Sequence, residues 1–404
     1  MKILRPCAGK QEEFPLGCSH TSYGCGLSAI TTDEADAEAF ARAIAEEAAI
    51  CDAGFVLIFY SHALIDAQSI TESLVRHAPG LRHAGCSTAG EITPAGLEEG
   101  HAIAILMPAE RFSAVATMIR DLSVSGIDGI AGRVEELKLN LRARAGYDGK
   151  NVFALCFIDG LSYAEEAVTS AIHWVLDDIP LIGGSAGDDL KFETTTLISD
   201  GDVASGCAVV VLIATDVPFH VFKSENFEAT DTKLVVTASD PERRIVHEFN
   251  AAPAADEYAA AVGLTAAELT PMSFASHPVV VRVGGEHYCR SIQKMNPDGS
   301  LSFFCAIDDG IVLSVAQPLS IVDTARHALE NAGERLGGID VVLGFDCVLR
   351  RLDARSRQVQ RDVSELYRTN RVIGFGTYGE QYRSMHLNQT FTGIAFGPSR
   401  QAAE

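Results

Sequence analysis

The chain has 404 residues, of which 47% are hydrophobic and 21% charged, as expected for a globular protein with more than one core. Its formal net charge of −22 argues against non-specific binding to nucleic acids or anionic membranes, because such binding needs clustered lysines and arginines. No apolar run approaches the roughly 20 residues that span a bilayer, and no signal-peptide core follows Met1. We therefore expect a cytoplasmic protein with no nucleic-acid partner and no membrane insertion.

The N-terminal segment, residues 1–27, contains four side chains of the kinds that bind zinc: Cys7, Cys18, His20 and Cys25. Their spacing matches no paired C-x-x-C pattern, so free or redox-active thiols are the alternative. Most other cysteines lie inside apolar runs, which is typical of buried thiols in a reducing compartment. A helix is predicted next, over residues 34–50.

A strand, a helix, a second strand with a glycine-rich turn, and a last strand recur three times along the chain. The first strands are predicted at 55–60, 152–157 and 341–345, the helices at 69–77, 165–176 and 361–367, and the last strands at 102–106, 207–213 and 391–396. The turns, which we call the signatures, are GCSTAGE (85–91), GSAGD (184–188) and GFGTYGE (374–380). Strands alternating with helices predict an α/β protein with mixed sheets and helices packed on them.

Two domains are predicted from the distribution of these units. Residues 28–217 contain two copies, and a break near residue 217 separates them from a second domain at 218–400 that contains the third. The second domain begins with strands at 219–227 and 234–237. The Ser-Asp-Pro-Glu run at 239–242 resembles a helix start, which places His247 in a helical stretch, and an Ala-rich helix follows at 254–262. Strands at 279–283, 288–293 and 301–306 have hairpin character.

The signatures support two interpretations. Small residues after a strand allow close backbone approach to a ligand, and the acids Glu91, Asp188 and Glu380 favour a zwitterion over a phosphate. Alternatively, the glycines let strands cross closely and the acids cap the turns. Only the third signature has extra groups, Tyr378 and Gln381, that packing does not require.

An enzymatic interpretation depends on Cys86, which stands beside Ser87 in the first signature. His83 or His62 would serve as the base, since a nearby imidazole is the usual activator of a cysteine nucleophile. We expect a protein that is not an enzyme, with a Cys-dependent enzyme as an alternative.

Together and in this order, the segments 85–91, 182–188 and 377–380 with Asn388-Gln389-Thr390 resemble the FIST family. The resemblance extends from about residue 30 onward and covers an N-terminal and a C-terminal FIST domain. It implies a bacterial intracellular sensory module for small ligands, without a known catalytic reaction.

A narrower resemblance is carried by the segments 288–293, 304–310 and 378–393, which are similar to those of the nitric-oxide-sensing FIST proteins. It implies haem as the cofactor, nitric oxide as the ligand, and regulation in trans of a histidine kinase or a cyclic-di-GMP enzyme. A FIST sensor of a small ligand such as an amino acid, without haem, is the alternative. Sheet edges that need protection also make a homodimer an expectation.

His386, between the third signature and the last strand, is the first candidate for the axial haem ligand, and a role in ordering the loop is its alternative. His287 and His247 are the second and third candidates. Arg290 would neutralise a carboxylate of haem or of an amino acid, or pair with one of the many acids of the chain. The remaining candidate site residues lie near these in the sequence: Tyr288, Tyr378, Glu380, Gln381 and Tyr382.

Overall fold

A computed structural model describes residues 17–145 and 151–398, and it is mixed α/β, as predicted. The first unit contains seven strands and two helices: β1 (Cys18–Ser22), β2 (Ser28–Thr32), α1 (Ala37–Cys51), β3 (Ala53–Tyr60), α2 (Ala67–His77), β4 (Arg82–Ser87), β5 (Glu91–Thr93), β6 (Gly96–Glu98) and β7 (Ala102–Pro108). Both helices begin after an aspartate, Asp36 or Asp66, whose carboxylate accepts a hydrogen bond from a first-turn amide.

The second unit follows a strand and a long helix, β8 (Phe112–Ile119) and α3 (Leu122–Ala145), the latter interrupted at Gly126. It consists of β9 (Val152–Asp159), α4 (Glu165–Leu176), β10 (Leu181–Ala186), β11 (Leu197–Ser199), β12 (Asp202–Ala204) and β13 (Ala208–Thr215). Strand β14 (Phe219–Glu225) comes next. Since β9 and β13 are buried along their whole length, they read as continuous apolar runs in the sequence.

Residues 227–318 form what we call the lobe, an antiparallel sheet with helices on it and a hydrophobic core of its own. Its elements are β15 (Phe227–Asp240), β16 (Ile245–Phe249), β17 (Ala252–Pro253), α5 (Ala254–Ala261), a 3₁₀ turn (Ala266–Glu268), α6 (Pro271–Ser276), β18 (Val279–Val283), β19 (Glu286–Arg290), β20 (Ile292–Met295), β21 (Leu301–Phe303) and β22 (Val312–Pro318). The order across the sheet is β19-β18-β22-β15-β16-β21-β20, with β17 beside β16.

The third unit completes the described chain. It contains α7 (Ile321–Leu336), β23 (Val341–Cys347), α8 (Val348–Ser356), α9 (Gln360–Thr369), β24 (Val372–Thr377), β25 (Glu380–Tyr382), β26 (Met385–Leu387) and β27 (Thr390–Phe396). Helix α9 and the long strands were predicted from the sequence, whereas α7 and α8 were not. We call the three units together the body.

Each unit builds its sheet on one parallel pair, β3–β4, β9–β10 or β23–β24. After the second strand of the pair, a short hairpin joins the sheet of another unit. Hairpin β5–β6 pairs with β24, hairpin β25–β26 pairs with β10, and hairpin β11–β12 pairs with β4. The exchange is therefore cyclic, and two of the three sheets cross the boundary predicted between residues 217 and 218.

The three sheets enclose one shared core. The rings of Phe59 and Phe157, from the first and second units, have centroids 5.3 Å apart. Phe375 of the third unit lies 4.5 Å from Phe59 and 6.0 Å from Phe157. Such clustered aromatic rings bury large apolar areas. The shared core therefore stabilises the association of the three units, in addition to the exchanged hairpins.

Glycine is required at the same place in each unit, where the second strand passes its parallel neighbour. A Cβ on Gly85, Gly183 or Gly374 would lie 1.7 to 1.9 Å from a carbonyl oxygen of that neighbour. No side chain fits at that distance, so these glycines serve the packing of strands. This contact favours the architectural interpretation of the signatures.

The helix start predicted at 239–242, with His247 in a helix, is wrong. Residues 227–240 and 245–249 form the antiparallel strands β15 and β16, in which Ser239 pairs with Val246. Val246 also faces Leu301 of β21 on the other side. Pairing on both edges overrides the helix-start signal of the Ser-Asp-Pro-Glu run: Ser239 and Asp240 end strand β15, and Pro241 and Glu242 begin the turn to β16.

Replacing Gly183 with alanine tests the close strand approach. We expect Gly183→Ala to lower the free energy of unfolding by about 3 kcal/mol or more, because the added carbon overlaps the carbonyl oxygen of Cys156. Gly132, on the exposed side of α3 with open space around it, is the control: Gly132→Ala should raise stability by about 0.5–1 kcal/mol. Urea unfolding of both variants measures the difference, and equal midpoints would contradict the assignment.

Candidate functional site

The three signatures meet where the parallel pairs end. A backbone hydrogen bond joins each pair of signatures. The amide of Ala89 donates to the carbonyl of Gly376 at 2.8 Å, the amide of Ser185 to the carbonyl of Gly379 at 2.7 Å, and the amide of Gly187 to the carbonyl of Ser87 at 3.1 Å. These amides are therefore engaged by the fold itself, and they are not available to cradle a ligand.

The acids of the first and third signatures are buried and satisfied from within. Glu91 accepts a hydrogen bond from the hydroxyl of Thr88, and Glu380 accepts one from Thr377, three residues earlier in each turn. Each also accepts a backbone amide, at 3.0 and 3.3 Å respectively. Burial raises the pKa of Glu91 and of Glu380 to about 8, although the hydrogen bonds oppose the shift. Both carboxyls therefore keep a proton near neutral pH.

The acid of the second signature is held in the opposite state. Asp188 accepts the backbone amides of Phe192, Glu193 and Thr194 at 2.9, 2.7 and 2.9 Å, and the hydroxyl of Tyr378. Burial opposes ionisation, but these hydrogen bonds outweigh it and lower the pKa of Asp188. An ionised Asp188 thus shapes the loop that follows it.

A cavity of about 300 Å³, which we call the signature cavity, lies beside this meeting point. Its wall comes from all three units: Ser61, Ala63, Ala89, Glu99, Gly100, Asp189, Leu190, Val348, Arg351, Leu352 and Arg355. Glu99 and Arg355 are partly exposed and pair with each other at the wall. The volume is at the lower end of the range for small-molecule pockets.

The basic side of the cavity is formed by helix α8. The guanidinium of Arg351 donates to the carbonyl of Ala89 at 3.0 Å and of Glu98 at 2.6 Å, and it pairs with Glu99 at 3.1 Å. Its Nε is buried without a hydrogen-bond partner. Arg355, one turn further along α8, adds a second positive charge.

The acidic and apolar sides of the cavity lie elsewhere on its wall. Asp189 supplies a carboxylate, one oxygen of which accepts the hydroxyl of Ser61 at 3.0 Å. Leu190, Val348 and Leu352 supply apolar surface and belong to one hydrophobic cluster. The cavity therefore offers a cationic, an anionic and an apolar region within a small volume.

Five buried polar residues of the third unit share one property: Gln381, His386, Asn388, Gln389 and Thr392. Each is at most 3% exposed, and each has at least one side-chain nitrogen or oxygen without a hydrogen-bond partner. Gln381 donates from Nε2 to the hydroxyl of Ser185 at 2.9 Å, and the same nitrogen lies 3.3 Å from Nδ1 of His386. Burial lowers the pKa of His386 to about 4, so the imidazole is neutral.

His386 meets one requirement of a haem site and fails others. Its unpartnered Nε2 is the kind of atom that binds iron. With the Gln381 amide oriented as here, however, Nδ1 accepts a hydrogen bond and Nε2 carries the proton. The same edge of the ring faces Gly379, where a Cβ would lie 2.3 Å from Cε1. The described surroundings thus do not fit a haem macrocycle unless they rearrange.

The structure brings Arg290 to His386 and leaves other predicted residues elsewhere. Nη1 of Arg290 lies 3.3 Å from the carbonyl oxygen of His386. Tyr288 lies under the ammonium of Lys223, and its hydroxyl donates to Glu286. His287 and His247 are exposed on β19 and β16. Tyr382 packs against the shared core, with Arg383 over its ring.

The predicted zinc ligands are not assembled in the described residues. Cys7 lies outside them, Cys18 packs near α1, and His20 pairs with Glu47 at 3.1 Å. Cys25 is buried in the shared core. Within residues 17–145 and 151–398, no three or more His, Cys, Asp or Glu side chains form a group that could hold a metal ion. All nine cysteines in these ranges are free thiols.

The pairing proposed for a cysteine nucleophile is not formed. Cys86 is fully buried, and burial raises the pKa of its thiol well above the ordinary value. Both nitrogens of His83 are used elsewhere: Nδ1 lies 3.1 Å from the carbonyl of Leu81, and Nε2 accepts the amide of Gly201 at 3.1 Å. Within the described residues, no group opposes this rise in the pKa of the Cys86 thiol.

A buried ion pair, which we call the latch, joins the lobe to the body. Nη2 of Arg244 in the lobe lies 2.7 Å from carboxylate oxygens of both Glu165 and Glu166 on α4. The guanidinium also lies over the ring of Tyr163, 4.8 Å from its centroid. Nη1 of Arg244 donates to the carbonyl of Phe304 at 2.8 Å. Burial raises the pKa of Glu165, and Arg244 opposes that shift.

Three cavity residues, Asp189, Arg351 and Arg355, are not among those predicted from the sequence. Asp189 follows the second signature directly, next to the predicted acid Asp188. The two arginines lie on α8, a short helix that was not predicted. The run Val348-Leu349-Arg350-Arg351-Leu352, directly after a buried strand, was the available signal.

Family models match most of the chain. Residues 54–252 match the FIST N domain, and residues 254–383 match the FIST C domain. The chain belongs to the FIST family. It is therefore a FIST sensory-domain protein, as the signatures indicated.

Individual relatives are distant. An uncharacterized protein of Methanocaldococcus jannaschii is 24% identical over 193 residues, which are 47% of this chain and 37% of that protein's length. The crystal structure of cyanuric acid hydrolase from A. caulinodans has a TM-score of 0.40 at 10% identity, covering 92% of this FIST chain and 99% of the hydrolase chain. Within the described residues of this FIST protein, no helix combines the length and the apolar character that crossing a membrane requires.

The protonated state of Glu380 predicts a pH dependence of stability. In the folded protein the carboxyl keeps its proton up to about pH 8, whereas the ordinary pKa of a glutamate is 4.5. Unfolding between about pH 5 and pH 8 therefore releases this proton, and stability falls as the pH rises. Glu380→Gln mimics the protonated form, so its stability relative to the unsubstituted protein should increase across this range.

Urea unfolding at several pH values measures this effect. The control is Glu365→Gln, because Glu365 is exposed on α9 and hydrogen bonding to Arg368 lowers its pKa instead. That variant should show no growing advantage toward about pH 8. If the two variants followed the same pH profile, Glu380 would not be protonated in the folded state.

Removing the arginine of the latch should destabilise the lobe contact. Arg244→Met leaves the buried carboxyl of Glu165 and the partly exposed carboxyl of Glu166 without their partner, at a cost of about 3–5 kcal/mol. We expect a lower melting temperature and faster limited proteolysis within residues 227–318. Arg243→Met, at the exposed neighbouring position, is the control and should behave like the unsubstituted protein. Equal proteolysis rates for the two variants would exclude the latch as a stabilising contact.

Proposed function

We propose that this FIST protein is a cytoplasmic, non-catalytic sensor that binds a small zwitterion, such as an amino acid, in the signature cavity. One observation carries the proposal: a small cavity between the three units has a cationic, an anionic and an apolar wall region. Free thiols at all nine described cysteines support a reducing compartment. The buried, unactivated thiol of Cys86 supports a role without catalysis.

The charges of the cavity favour a zwitterion over a simple anion. Arg351 and Arg355 are suited to a ligand carboxylate, since guanidinium groups pair with carboxylates in bidentate geometry. Asp189 is suited to an ammonium group. A phosphate would be repelled by Asp189 and Glu99, whereas a zwitterion satisfies both signs at once. The apolar wall accepts a small side chain.

The proposed output is in trans. The family resemblance supports a histidine kinase or a cyclic-di-GMP enzyme as the partner, and the lobe is the part of the protein best suited to change its contacts when a ligand binds. This proposal requires no catalytic group in the FIST protein itself.

The cavity proposal predicts an amino-acid ligand that depends on Arg355. Thermal unfolding should be measured with each of the twenty common L-amino acids at about 100 μM. For a ligand with a Kd of about 1 μM, this concentration raises the free energy of unfolding by about 2.7 kcal/mol. Arg355→Gln should reduce or abolish the shift. Arg326→Gln is the matched control, because Arg326 is 45% and Arg355 43% exposed and each pairs with an acid. Absence of a shift with all twenty compounds, or equal shifts in both variants, would reject the proposal.

A nitric-oxide sensor with haem at His386 is the second candidate function. The buried, unpartnered Nε2 of a neutral imidazole favours it, since iron binds that form of histidine. Arg290 beside it would pair with a propionate of haem. The polar surroundings and the contact with Gly379 oppose it.

A visible absorption spectrum separates the two candidates. If haem binds, the protein reconstituted with ferrous haem has a Soret band that moves when nitric oxide is added and disappears in His386→Ala. We expect no such band. A band that depends on His386 would replace the zwitterion proposal by the haem proposal.

A further inference from the structure

We infer that occupancy of the signature cavity controls how tightly the lobe packs on the body. The inference rests on the proposed function, since it concerns the regulation of the same site. The segment 188–194, which we call the cavity loop, connects the two. Asp189 and Leu190 of this loop line the cavity, and Phe192 of the same loop reaches toward the lobe.

The cavity loop has a strained backbone. Asp189, Leu190 and Phe192 have φ values of 56°, 66° and 55°, in the left-handed region that non-glycine residues rarely adopt. The loop is kept in this conformation by Asp188, which accepts amides from within the loop, and by Tyr378, whose hydroxyl accepts the amide of Leu190 at 2.8 Å. A ligand on Asp189 and Leu190 would hold the same conformation.

Phe192 connects the loop to the lobe. Its ring stacks on Tyr378, with centroids 4.8 Å apart and planes 24° from parallel. Its centroid is 6.4 Å from that of Phe304 in the lobe. Phe304 packs in the same hydrophobic cluster as the cavity residues Leu190 and Leu352. A lobe side chain is therefore part of the apolar support of the cavity wall.

The same lobe residue also contacts the latch. The carbonyl of Phe304 accepts a hydrogen bond from Arg244, and the amide of Ala306 donates to Glu166 at 3.0 Å. The cavity loop thus contacts Phe304, and Phe304 contacts the latch. All three lie along one seam, by which we mean the contact surface between the lobe and the body. Because the lobe has its own sheet and core, it can shift at this seam without unfolding.

Thermodynamic linkage gives the direction of the effect. A ligand that fixes the cavity loop also fixes Phe192 against Phe304, which tightens the docked lobe. By reciprocity, a substitution that loosens the lobe must weaken ligand binding by the same factor. Phe304 is not among the residues that line the cavity, so an effect of its substitution on affinity would have to pass through the side chains it packs against: Phe192 and Leu190 of the loop and Leu352 of α8.

The first arm of the test needs no ligand. Asp188→Asn weakens the hold on the cavity loop, and hydrogen–deuterium exchange of the lobe segment 301–307 should accelerate about five-fold or more. Asp200→Asn is the control, because Asp200 also accepts a backbone amide and has a left-handed φ, but it lies in the β11–β12 hairpin on the sheet of the first unit. If Asp188→Asn does not fold, Phe192→Ala replaces it, since that side chain is 40% exposed. Unchanged exchange in the folded loop variant overturns the inference.

The second arm uses whichever of the twenty L-amino acids gives the largest thermal shift. Phe304→Ala should weaken its binding by about five-fold or more in calorimetry, whereas Phe227→Ala, at a half-buried position elsewhere in the lobe, should not. Equal affinities of the two variants overturn the inference. If no amino acid binds but the first arm succeeds, the coupling stands and only the zwitterion proposal fails.

Discussion

The close approach of backbone to backbone at three equivalent glycines is the constraint on which the rest of the structure depends. Where Gly85, Gly183 and Gly374 pass their parallel neighbours there is no space for a side chain, so each pair of strands approaches more closely than another residue would allow. The chain then leaves each sheet and gives its next hairpin to another one. Each unit lacks a hairpin that only another unit supplies. We therefore expect the body to fold as a single cooperative structure rather than as independent repeats.

The same convergence produces the site. Asp188, Arg351 and Tyr378 are far apart in the sequence, and the interlocked turns bring them around one cavity and its loop. Burial then decides the charge of each group. Three amides and a hydroxyl keep Asp188 ionised, whereas Glu380, with fewer amide donors and full burial, keeps its proton. Acids that look equivalent in the sequence thus differ in charge and in role.

The sequence predicted those elements whose signal is local. Long buried strands such as β9 and the amphipathic helix α4 have clear apolar patterns, and the structure confirms them. The exchanged hairpins have strands of three residues, too short for a period, and their partners are distant in the chain. His247 was assigned to a helix because a short apolar run does not distinguish a strand from a helix. Arg351 was missed because its role depends on α8 and on the path of the first signature past Gly90, which only the folded chain brings together.

The lobe seam differs physically from the rest of the molecule, and the difference suits a sensor. The body is closed by a large aromatic core, whereas the seam combines a buried ion pair, a few hydrogen bonds, the packing of α6 on α8 and the apolar contacts of Phe304. Gln381 and His386 lie on the body side of this seam, where Arg290 of the lobe contacts the carbonyl of His386. Their unpartnered atoms, Oε1 of Gln381 and Nε2 of His386, are costly when buried and would gain hydrogen bonds from water if the seam opened. That cost offsets part of the energy of docking, which brings the docked and open lobe closer in free energy. A ligand needs only a modest difference in affinity between two such states to change their populations.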